Sequence, residues 1–289
     1  MNYPDYSLTF IVLAKNHEPF VYDCLYSLDS NLAPSTEIVF ADLGSSDLTV
    51  NVATDFLNQV SRKSRVVEFT GETLTTTFGL QQLLPSITTQ WVGIISGDDA
   101  ITGQYVSVMK AVIRKAEVNT VFNFVLQMTD KNLAPLRKAL PRWNRSALLN
   151  NLWMFFENPG TAPGSILPVK QILNSNFMNI DPNCLIEDYP LWLCLKDLVK
   201  FKKIGDGEVL YRQHSQSLSS SELNREYAWS IGYCIGLLKG SADNSTKGIL
   251  VSLGEKRWRK KVNPSMHHVV LEGIACGLQF DWSMNAENS

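Results

Sequence analysis

The stretch L-T-F-I-V-L-A-K-N-H-E-P-F, residues 8–20, indicates the fold class of this chain. Its opening run, 8–13, is apolar except for one threonine, a pattern typical of a strand that is buried on both faces. Pro19 then stands in the first turn of a segment, 18–28, whose apolar residues recur at helical spacing. A buried strand followed at once by an amphipathic helix predicts one βα unit of a layered α/β fold.

The same alternation continues along the chain. Further strands are predicted at the apolar runs 37–41, 65–69, 91–96, 121–126 and 208–214. Amphipathic segments separate the early strands, and another helix is predicted at 187–198. This alternation predicts a mostly parallel sheet with helices on both faces. From about residue 222 the pattern becomes helical, and the best boundary is the S-L-S-S-S run at 217–221.

Composition and charge exclude several classes of protein. The chain has 289 residues, 45% of them hydrophobic and 19% charged, as in a globular protein with a substantial core. The formal net charge of −2 gives no bulk attraction to nucleic acid, so no nucleic-acid partner is expected. Five scattered cysteines without a C-x-x-C pair argue against a disulfide framework or a zinc site. We find neither a signal-peptide pattern nor an apolar run of ~20 residues, and therefore expect a cytoplasmic protein.

The first loop lacks the glycines with which common nucleotide-binding folds hold phosphate. A dinucleotide-binding fold carries G-x-G-x-x-G after its first strand, and a P-loop ends in Gly-Lys-Ser or Gly-Lys-Thr. Here the first strand is followed by A-K-N-H-E, residues 14–18. This argues against hydride transfer, P-loop hydrolysis and sugar nucleotidyl transfer.

Carboxylates gather just after two of the predicted strands. Asp42 follows the strand 37–41, and Asp98 and Asp99 follow the strand 91–96. Ligands of open α/β sheets bind at the carboxyl ends of the strands, and carboxylates are preferred ligands of hard divalent cations. We therefore predict that these three aspartates hold a ligand or a cation. The alternative is that they are turn and helix-cap residues, since Asp is common in both places.

Four stretches, in order, resemble the motifs of the family 2 glycosyltransferases, which have the nucleotide-diphospho-sugar (GT-A) fold. They are T-F-I-V-L-A-K-N-H-E-P-F (9–20), I-V-F-A-D-L-G-S-S-D (38–47), I-I-S-G-D-D (94–99), and I-E-D-Y-P-L-W-L (186–193) with Y-R-Q-H-S-Q-S-L-S (211–219). The resemblance implies a Rossmann-like, mostly parallel sheet flanked by helices. It also implies a catalytic domain over 1–220, with nucleotide-sugar binding in 1–105 and an acceptor and catalytic part in 106–220, followed by a C-terminal helical extension over 221–289.

The resemblance also implies roles for individual residues. The nucleotide-binding positions match Ala14, Asn16, Glu18, Asp42, Asp98 and Arg212, with Asp42 binding the base or ribose. The metal positions match Asp99, Asp98 and His214, which would hold Mn²⁺ or Mg²⁺ to neutralise the diphosphate leaving group. The catalytic positions match Asp188, the base that takes the proton of the acceptor hydroxyl, and its neighbour Glu187. His17 is predicted to be non-catalytic.

The implied activity is an inverting, metal-dependent transfer from a nucleotide-diphospho-sugar, with a UDP-sugar favoured, to a glycan or lipid-linked acceptor in surface polysaccharide or lipopolysaccharide biosynthesis. Two departures from the family pattern support a second hypothesis. Ser96 stands where the family commonly has Asp, and the family's segment with Ala, Arg and Asn is not evident before that motif. The alternative is a catalytically silent GT-A protein that binds a nucleotide sugar or a glycan.

The C-terminal part leaves further alternatives open. Its helices are expected to pack on the catalytic domain, to contact the acceptor or to form a homodimer. The run G-E-K-R-W-R-K-K, residues 254–261, is the one dense basic segment. One interpretation is a solvated helix face. The other is a patch that contacts anionic lipid headgroups and attaches the protein peripherally to the inner face of the membrane.

Overall fold

The structure is a computed structural model that describes residues 7–71, 74–143, 154, 158–215, 225–241 and 264–283. Short 3₁₀ turns lie at Leu84–Ser86, Asn176–Asn179 and Pro264–Met266. The strands and helices are, in chain order, β1 (Leu8–Ala14), α1 (Val21–Asn31), β2 (Glu37–Asp42), α2 (Thr49–Leu57), β3 (Ser64–Glu68), α3 (Thr76–Leu83), β4 (Trp91–Ser96), β5 (Ala100–Ile101), α4 (Gly103–Ile113), β6 (Thr120–Thr129), β7 (Pro135–Ala139), β8 (Ser165–Pro168), α5 (Val169–Leu173), α6 (Asp188–Leu195), β9 (Lys200–Arg212), α7 (Arg225–Gly240) and α8 (His267–Leu278).

The strands form one mixed sheet. Its order is β3-β2-β1-β4-β8-β6-β9-β5, and β7 also pairs with β6. The first four strands in this order are parallel to one another, and β6 and β9 are parallel as well. Strands β5, β7 and β8 pair antiparallel with their neighbours. The predicted α/β class is confirmed, and the parallel part places the carboxyl ends of β1, β2 and β4 at one edge of the sheet.

Helices cover both faces of the sheet because successive side chains of a strand point to opposite faces. In β1, Phe10 and Val12 belong to a buried cluster that includes residues of α1, α2 and α4. Ile11 and Leu13 belong to a second buried cluster, which includes residues of α3, α6, α7 and α8. The C-terminal helices therefore pack on the sheet, one of the three arrangements expected from the sequence.

Helix α6 differs from the predicted amphipathic helix. The sequence places Leu191, Cys194 and Leu195 on one apolar face, whereas all residues from Tyr189 to Leu195 are buried. The helix is apolar on every side because it lies inside the second cluster, a pattern typical of a core helix. Only its first residue, Asp188, carries a charge, and this residue is partly exposed.

Helices α7 and α8 contact each other through glycines. A Cβ atom added at Gly232, Gly236, Gly273 or Gly277 would come within 2.1 to 2.4 Å of a main-chain oxygen of the facing helix. The glycines are spaced four residues apart in each helix, so they lie on one face and let the two backbones approach closely. Helices α7 and α8 therefore pack through close main-chain contacts as well as through apolar side chains.

Two predictions fall outside the described residues. They are the boundary at 217–221 and the basic run at 254–261, with its contact with the membrane. Within the described part of the chain, no helix combines the length and the apolar character that crossing a bilayer requires.

Candidate active site

A cleft of about 800 Å³ opens where β1 and β4 end. One side, which we call the strand wall, is formed by the loops after these two strands and includes Ala14–His17, Ser96, Asp98 and Asp99. The other side, the helix wall, is formed at the starts of α3, α6 and α7 and includes Thr75, Thr76, Leu185–Asp188, Glu226 and Tyr227. The cleft thus brings together residues from both predicted parts of the catalytic domain and from the C-terminal extension.

Asp98 lies in the strand wall and is 8% exposed. Its Oδ2 accepts a hydrogen bond from His214 Nε2 at 3.0 Å, and His17 Nε2 lies 3.8 Å from the same oxygen. Burial would raise the pKa of Asp98, but the hydrogen bond from His214, the nearby His17 and the hydroxyl of Ser96 together hold it below its usual value. Asp98 is therefore ionised at neutral pH, and its Oδ1 is buried without a hydrogen-bond partner among the described residues.

Asp99 is fully buried beside Asp98. Its Oδ1 accepts the backbone N–H of Arg212 at 2.9 Å, whereas its Oδ2 has no hydrogen-bond partner in the part of the chain that the structure describes. Burial and the neighbouring charge of Asp98 raise the pKa of Asp99 well above its usual value, against the opposing effect of Arg212. The two aspartates thus contribute one buried carboxylate oxygen each that has no hydrogen-bond partner in the described parts of the chain, and a bound cation would relieve the repulsion between them.

Arg212 positions the aspartate loop and is not among the residues that line the cleft. Its Nε donates to the carbonyl oxygen of Asp98 at 2.7 Å. Its terminal nitrogens donate to the carbonyl oxygen of Lys131 at 2.6 Å and to Asp23 Oδ2 at 3.1 Å. The guanidinium carbon also lies 4.7 Å from the centroid of the Phe20 ring. These contacts hold the guanidinium against the loop, and the predicted contact with phosphate stays a prediction.

The loops after β1 and β2 are tied together by reciprocal hydrogen bonds. The amide of Asn16 donates to Ser45 Oγ at 2.8 Å, and the amide of Glu18 donates to Asp47 Oδ2 at 3.2 Å. In return, Glu18 Oε2 accepts the amide of Leu48 at 3.1 Å. Of the predicted nucleotide-binding residues in the first loop, Ala14 and Asn16 line the cleft, whereas the Glu18 carboxylate is used for the pairing of the loops.

Asp42 organises the turn after β2. Its carboxylate accepts hydrogen bonds from the amide of Gly44 at 2.9 Å and from the amide and hydroxyl of Ser45 at 2.8 and 2.5 Å. It is 3% exposed and is not among the residues that line the cleft. The turn contacts match the alternative interpretation, and the predicted contact with the base or ribose stays a prediction.

Glu187 and Asp188 are adjacent carboxyl groups in the helix wall. Asp188 accepts the amide of Tyr189 at 2.8 Å and the Nδ2 amide of Asn158 at 2.5 Å, and Glu187 Oε2 accepts the hydroxyl of Thr76 at 2.8 Å. Burial, followed by the charge of Asp188, raises the pKa of Glu187 to about 7, although its own backbone N–H and Thr76 oppose the rise. The two carboxyl groups therefore share a site in which the charge of one disfavours ionisation of the other.

Several residues of the cleft are not among the site residues predicted from the sequence, and one of them, His17, is predicted to be non-catalytic. His17 lines the strand wall next to Asp98, and burial lowers its pKa although the charge of Asp98 opposes this. The available signal was its position in the loop directly after β1. Nothing in the sequence indicated Glu226 and Tyr227, because only the packing of α7 on the sheet brings these residues into the cleft.

The described residues contain no group of three or more His, Cys, Asp or Glu that could by itself hold a metal ion. The partnerless oxygens of Asp98 and Asp99 nevertheless fit a hard divalent cation that takes its remaining ligands from water and a diphosphate. His214 Nε2 is hydrogen-bonded to Asp98 in this arrangement, which suits the orientation of a metal-binding carboxylate. Its predicted direct contact with the metal stays a prediction.

The sequence and the fold are similar to known proteins. The family model described as "Glycosyl transferase family 2" matches residues 9–173. No curated protein sequence is significantly similar to the chain. The match to the family covers more than half of the chain and confirms the resemblance found in the motifs.

Among the solved structures that share the fold are two nucleotide-sugar complexes. S. aureus TarS 1–349 in complex with UDP-GlcNAc is 15% identical, with a TM-score of 0.67 over 94% of this chain and 81% of that chain. The mannosyltransferase PcManGT from Pyrobaculum calidifontis, in complex with GDP-Man and Mn²⁺, is 12% identical, with a TM-score of 0.60 over 98% and 79%. These likenesses confirm the predicted fold class.

Proposed function

The chain belongs to glycosyl transferase family 2 and is a nucleotide-sugar glycosyltransferase, and we propose that it is metal-dependent, inverting and specific for a UDP-sugar. We further propose a glycan or lipid-linked acceptor, in surface polysaccharide or lipopolysaccharide biosynthesis. One observation carries the reaction: the carboxylate oxygens of Asp98 and Asp99 that lack a partner among the described residues belong to the same cleft as Glu187 and Asp188. Asp98 and Asp99 suit a cation that binds the diphosphate leaving group. Glu187 and Asp188 suit deprotonation of the acceptor hydroxyl.

The charge of the cleft supports metal dependence. Its described lining residues include five carboxyl groups, of Asp98, Asp99, Glu187, Asp188 and Glu226, and one lysine, Lys15. A nucleotide diphosphate is itself anionic, so it would enter a field of like charge unless a divalent cation intervened. When bound, Mg²⁺ or Mn²⁺ neutralises the departing diphosphate as a Lewis acid. The complexes of TarS with UDP and of PcManGT with GDP-Man and Mn²⁺ support this proposal.

The residues of the site have separate proposed roles in the transfer. Asp98 and Asp99 would hold the cation, while His214 and Arg212 fix the conformation of the two aspartates. Asp188 takes the proton of the acceptor hydroxyl as its oxygen attacks the anomeric carbon from the face opposite the diphosphate, which inverts that centre. Since α6 begins at Asp188, the helix dipole favours the ionised carboxylate that a base requires.

A donor screen tests the proposed activity. UDP-, GDP- and dTDP-sugars are incubated with the protein and Mn²⁺, and the release of nucleoside diphosphate is measured with and without EDTA. We expect release from a UDP-sugar that EDTA abolishes. Nucleotide binding without turnover of any donor would favour the alternative, a catalytically silent GT-A protein. The low pKa of Asp98, to which His214, His17 and Ser96 contribute, favours the active protein, because a metal-binding carboxylate must be ionised.

Replacing Asp188 separates donor binding from transfer. In Asp188→Asn the side chain keeps its shape and an acceptor for the amide of Tyr189, but it cannot take up a proton. Because a positioned base contributes roughly 10²- to 10⁴-fold, we expect transfer to fall by at least about 10²-fold while UDP affinity is preserved. Transfer kinetics and UDP titration measure both quantities, with Asp55→Asn, an exposed carboxyl on α2, as the control. Retained transfer would remove Asp188 from the role of base.

A further inference from the structure

Helix α7 closes the helix wall of the cleft. Its residues Glu226 and Tyr227 line the cleft together with Glu187 and Asp188. All four residues lie beyond residue 173, where the family match ends. The match to the family therefore assigns no role to this part of the wall.

The position of α7 is fixed by hydrogen bonds to the segment before α6. Ser230 Oγ accepts the amide of Leu185 at 2.9 Å, and the hydroxyl of Tyr233 accepts the amide of Asp181 at 3.0 Å. Ser230 is fully buried, so this contact is part of the core. Because both segments line the cleft, the first turn of α7 keeps a fixed position relative to the candidate base.

The helix wall is rich in hydrogen-bond acceptors and in acidic side chains. Glu187, Asp188 and Glu226 contribute carboxyl groups, and Tyr227 adds a half-buried aromatic ring with a hydroxyl. Burial, with smaller effects from Asp188, Cys234 and Glu187, raises the pKa of Tyr227 to about 12, which keeps its hydroxyl protonated. The single lysine or arginine among the described lining residues, Lys15, belongs to the strand wall. The helix wall therefore offers no fixed positive charge in the described part of the chain.

We propose that Glu226 and Tyr227 complete the acceptor subsite and that this subsite selects an uncharged, hydroxylated acceptor, such as a neutral glycosyl unit. The inference rests on the proposed function and names its acceptor class. Carboxylates accept hydrogen bonds from sugar hydroxyls, and an aromatic ring packs against the apolar face of a sugar. An acceptor with a carboxylate, sulfate or phosphate near the reacting hydroxyl would lose its hydration beside like charges and gain no counter-charge.

The test uses two acceptor probes that differ by one charge. They are p-nitrophenyl β-D-glucoside and p-nitrophenyl β-D-glucuronide, in which a carboxylate replaces the C6 hydroxymethyl group. Dissociation constants are measured by saturation-transfer NMR on the full chain with UDP and Mn²⁺ present. We expect the glucoside to bind at least about tenfold more tightly, because a like-charge contact discriminates strongly in a partly buried site.

Variants of Glu226 and Tyr227 test whether α7 causes the preference for the glucoside over the glucuronide. Glu226→Gln is expected to reduce the glucoside-to-glucuronide ratio at least about threefold, because one like charge is removed while the shape is kept. Tyr227→Ala is expected to weaken binding of both glycosides through loss of the ring. Glu272→Gln, a carboxyl on α8 that pairs with Arg225 and does not line the cleft, is the matched control and should leave the ratio unchanged.

The outcomes separate this inference from the proposed function. Equal binding of the two glycosides, binding of neither, or an unchanged ratio in Glu226→Gln would overturn the acceptor assignment. UDP is titrated into the same samples with Mn²⁺. Absence of UDP binding would contradict the proposed function, whereas normal UDP binding without discrimination between the glycosides would contradict the acceptor inference alone.

Discussion

Asp98 and Asp99 are neighbours in sequence, but their surroundings shift their pKa values in opposite directions. Hydrogen bonds keep the pKa of Asp98 low in spite of burial, whereas burial and the charge of Asp98 raise that of Asp99. Ser96 contributes to this difference, because its hydroxyl supports the charge of Asp98 where the family commonly has a further Asp. Asp98 is thus already ionised, and a bound cation would favour the ionised form of Asp99 as well.

Glu187 makes the stability of the protein depend on pH. Its pKa is about 7 in the folded chain, against an ordinary value of 4.5, so the folded state holds this proton more tightly than the unfolded state. The contribution of the group to stability is therefore fully present below pH 4.5 and is lost as the pH rises to about 7. Glu187→Gln removes this loss and keeps an acceptor for Thr76. We expect the variant to melt higher than the wild type at pH 8, by roughly 3 °C or more, with the difference shrinking toward pH 5.

Thermal unfolding at several pH values measures this difference. Glu68→Gln is the control, because Glu68 is exposed at the end of β3 and its replacement should shift the melting temperature by less than about 1 °C at every pH. A Glu187→Gln variant that melts below the wild type at pH 8 would contradict the assigned environment of Glu187.

At the residue scale, the sequence predicts the carboxylates of the cleft better than their supporting contacts. Asp98, Asp99 and Asp188 lie in one cleft, since parallel strands bring their carboxyl ends to one edge of the sheet and α6 begins beside it. The hydrogen bonds of Arg212 with Lys131 and Asp23 join segments that are distant in sequence, so no local pattern reveals them. The same holds for Glu226 and Tyr227.

Among the elements, buried and regular segments are predicted well and short or exposed ones are not. The predicted bounds of the first four long strands agree with β1 to β4 to within one residue at each end. β5 spans only Ala100–Ile101, and β7 is largely exposed, so neither carries a hydrophobic pattern. The first part of β9, Lys200–Gly207, is rich in polar residues and glycine, and its pairing with β6 determines its conformation.

Because of the glycine contact between α7 and α8, a Gly→Ala substitution there is expected to destabilise the protein, although helix propensity alone predicts stabilisation. Gly→Ala in an exposed helix stabilises by about 1 kcal/mol. In Gly236→Ala, however, the new Cβ would lie 2.4 Å from the carbonyl oxygen of Ile274 and 2.8 Å from Gly277 Cα. The two helices must separate, so we expect a loss of roughly 2 kcal/mol or more in the free energy of unfolding, measured by urea titration.

Gly205→Ala is the control for this substitution. Gly205 is exposed, has no atom within 4 Å of an added Cβ and has no positive φ. We expect its replacement to change the free energy of unfolding by less than about 0.5 kcal/mol. Equal stability of the two variants would contradict the close approach of α7 and α8.

In the whole molecule, the C-terminal helices share a hydrophobic core with the sheet. Ala228 and Ile231 of α7 and Val269 of α8 are fully buried in the cluster that contains Ile11 of β1. The predicted division into 1–220 and 221–289 follows the change of sequence pattern, and the shared core indicates that the two parts fold together. The hydrophobic pattern of a sequence predicts which residues are buried, but it does not predict which other segment packs against them.

This shared core predicts one cooperative unfolding transition. Far-UV circular dichroism and tryptophan fluorescence, followed in urea, should give coincident midpoints for the full chain. A chain truncated after residue 220 should lose native near-UV circular dichroism, because it exposes the apolar surface that α7 and α8 cover. Two separate transitions, or a stable truncated chain with native spectra, would show that the parts fold independently.

If Asp98 and Asp99 bind the donor through a divalent cation, the affinity for UDP depends on Mn²⁺, and UDP titration calorimetry with Mn²⁺ or with EDTA measures this dependence. The wild type should bind UDP at least about tenfold more tightly with Mn²⁺. Asp99→Asn keeps an acceptor for the amide of Arg212 but removes a negative charge, so it should fold normally and lose the effect of Mn²⁺. UDP affinity that is independent of Mn²⁺ in the wild type, or an undiminished Mn²⁺ effect in Asp99→Asn, would contradict the assignment of the cation site to Asp98 and Asp99.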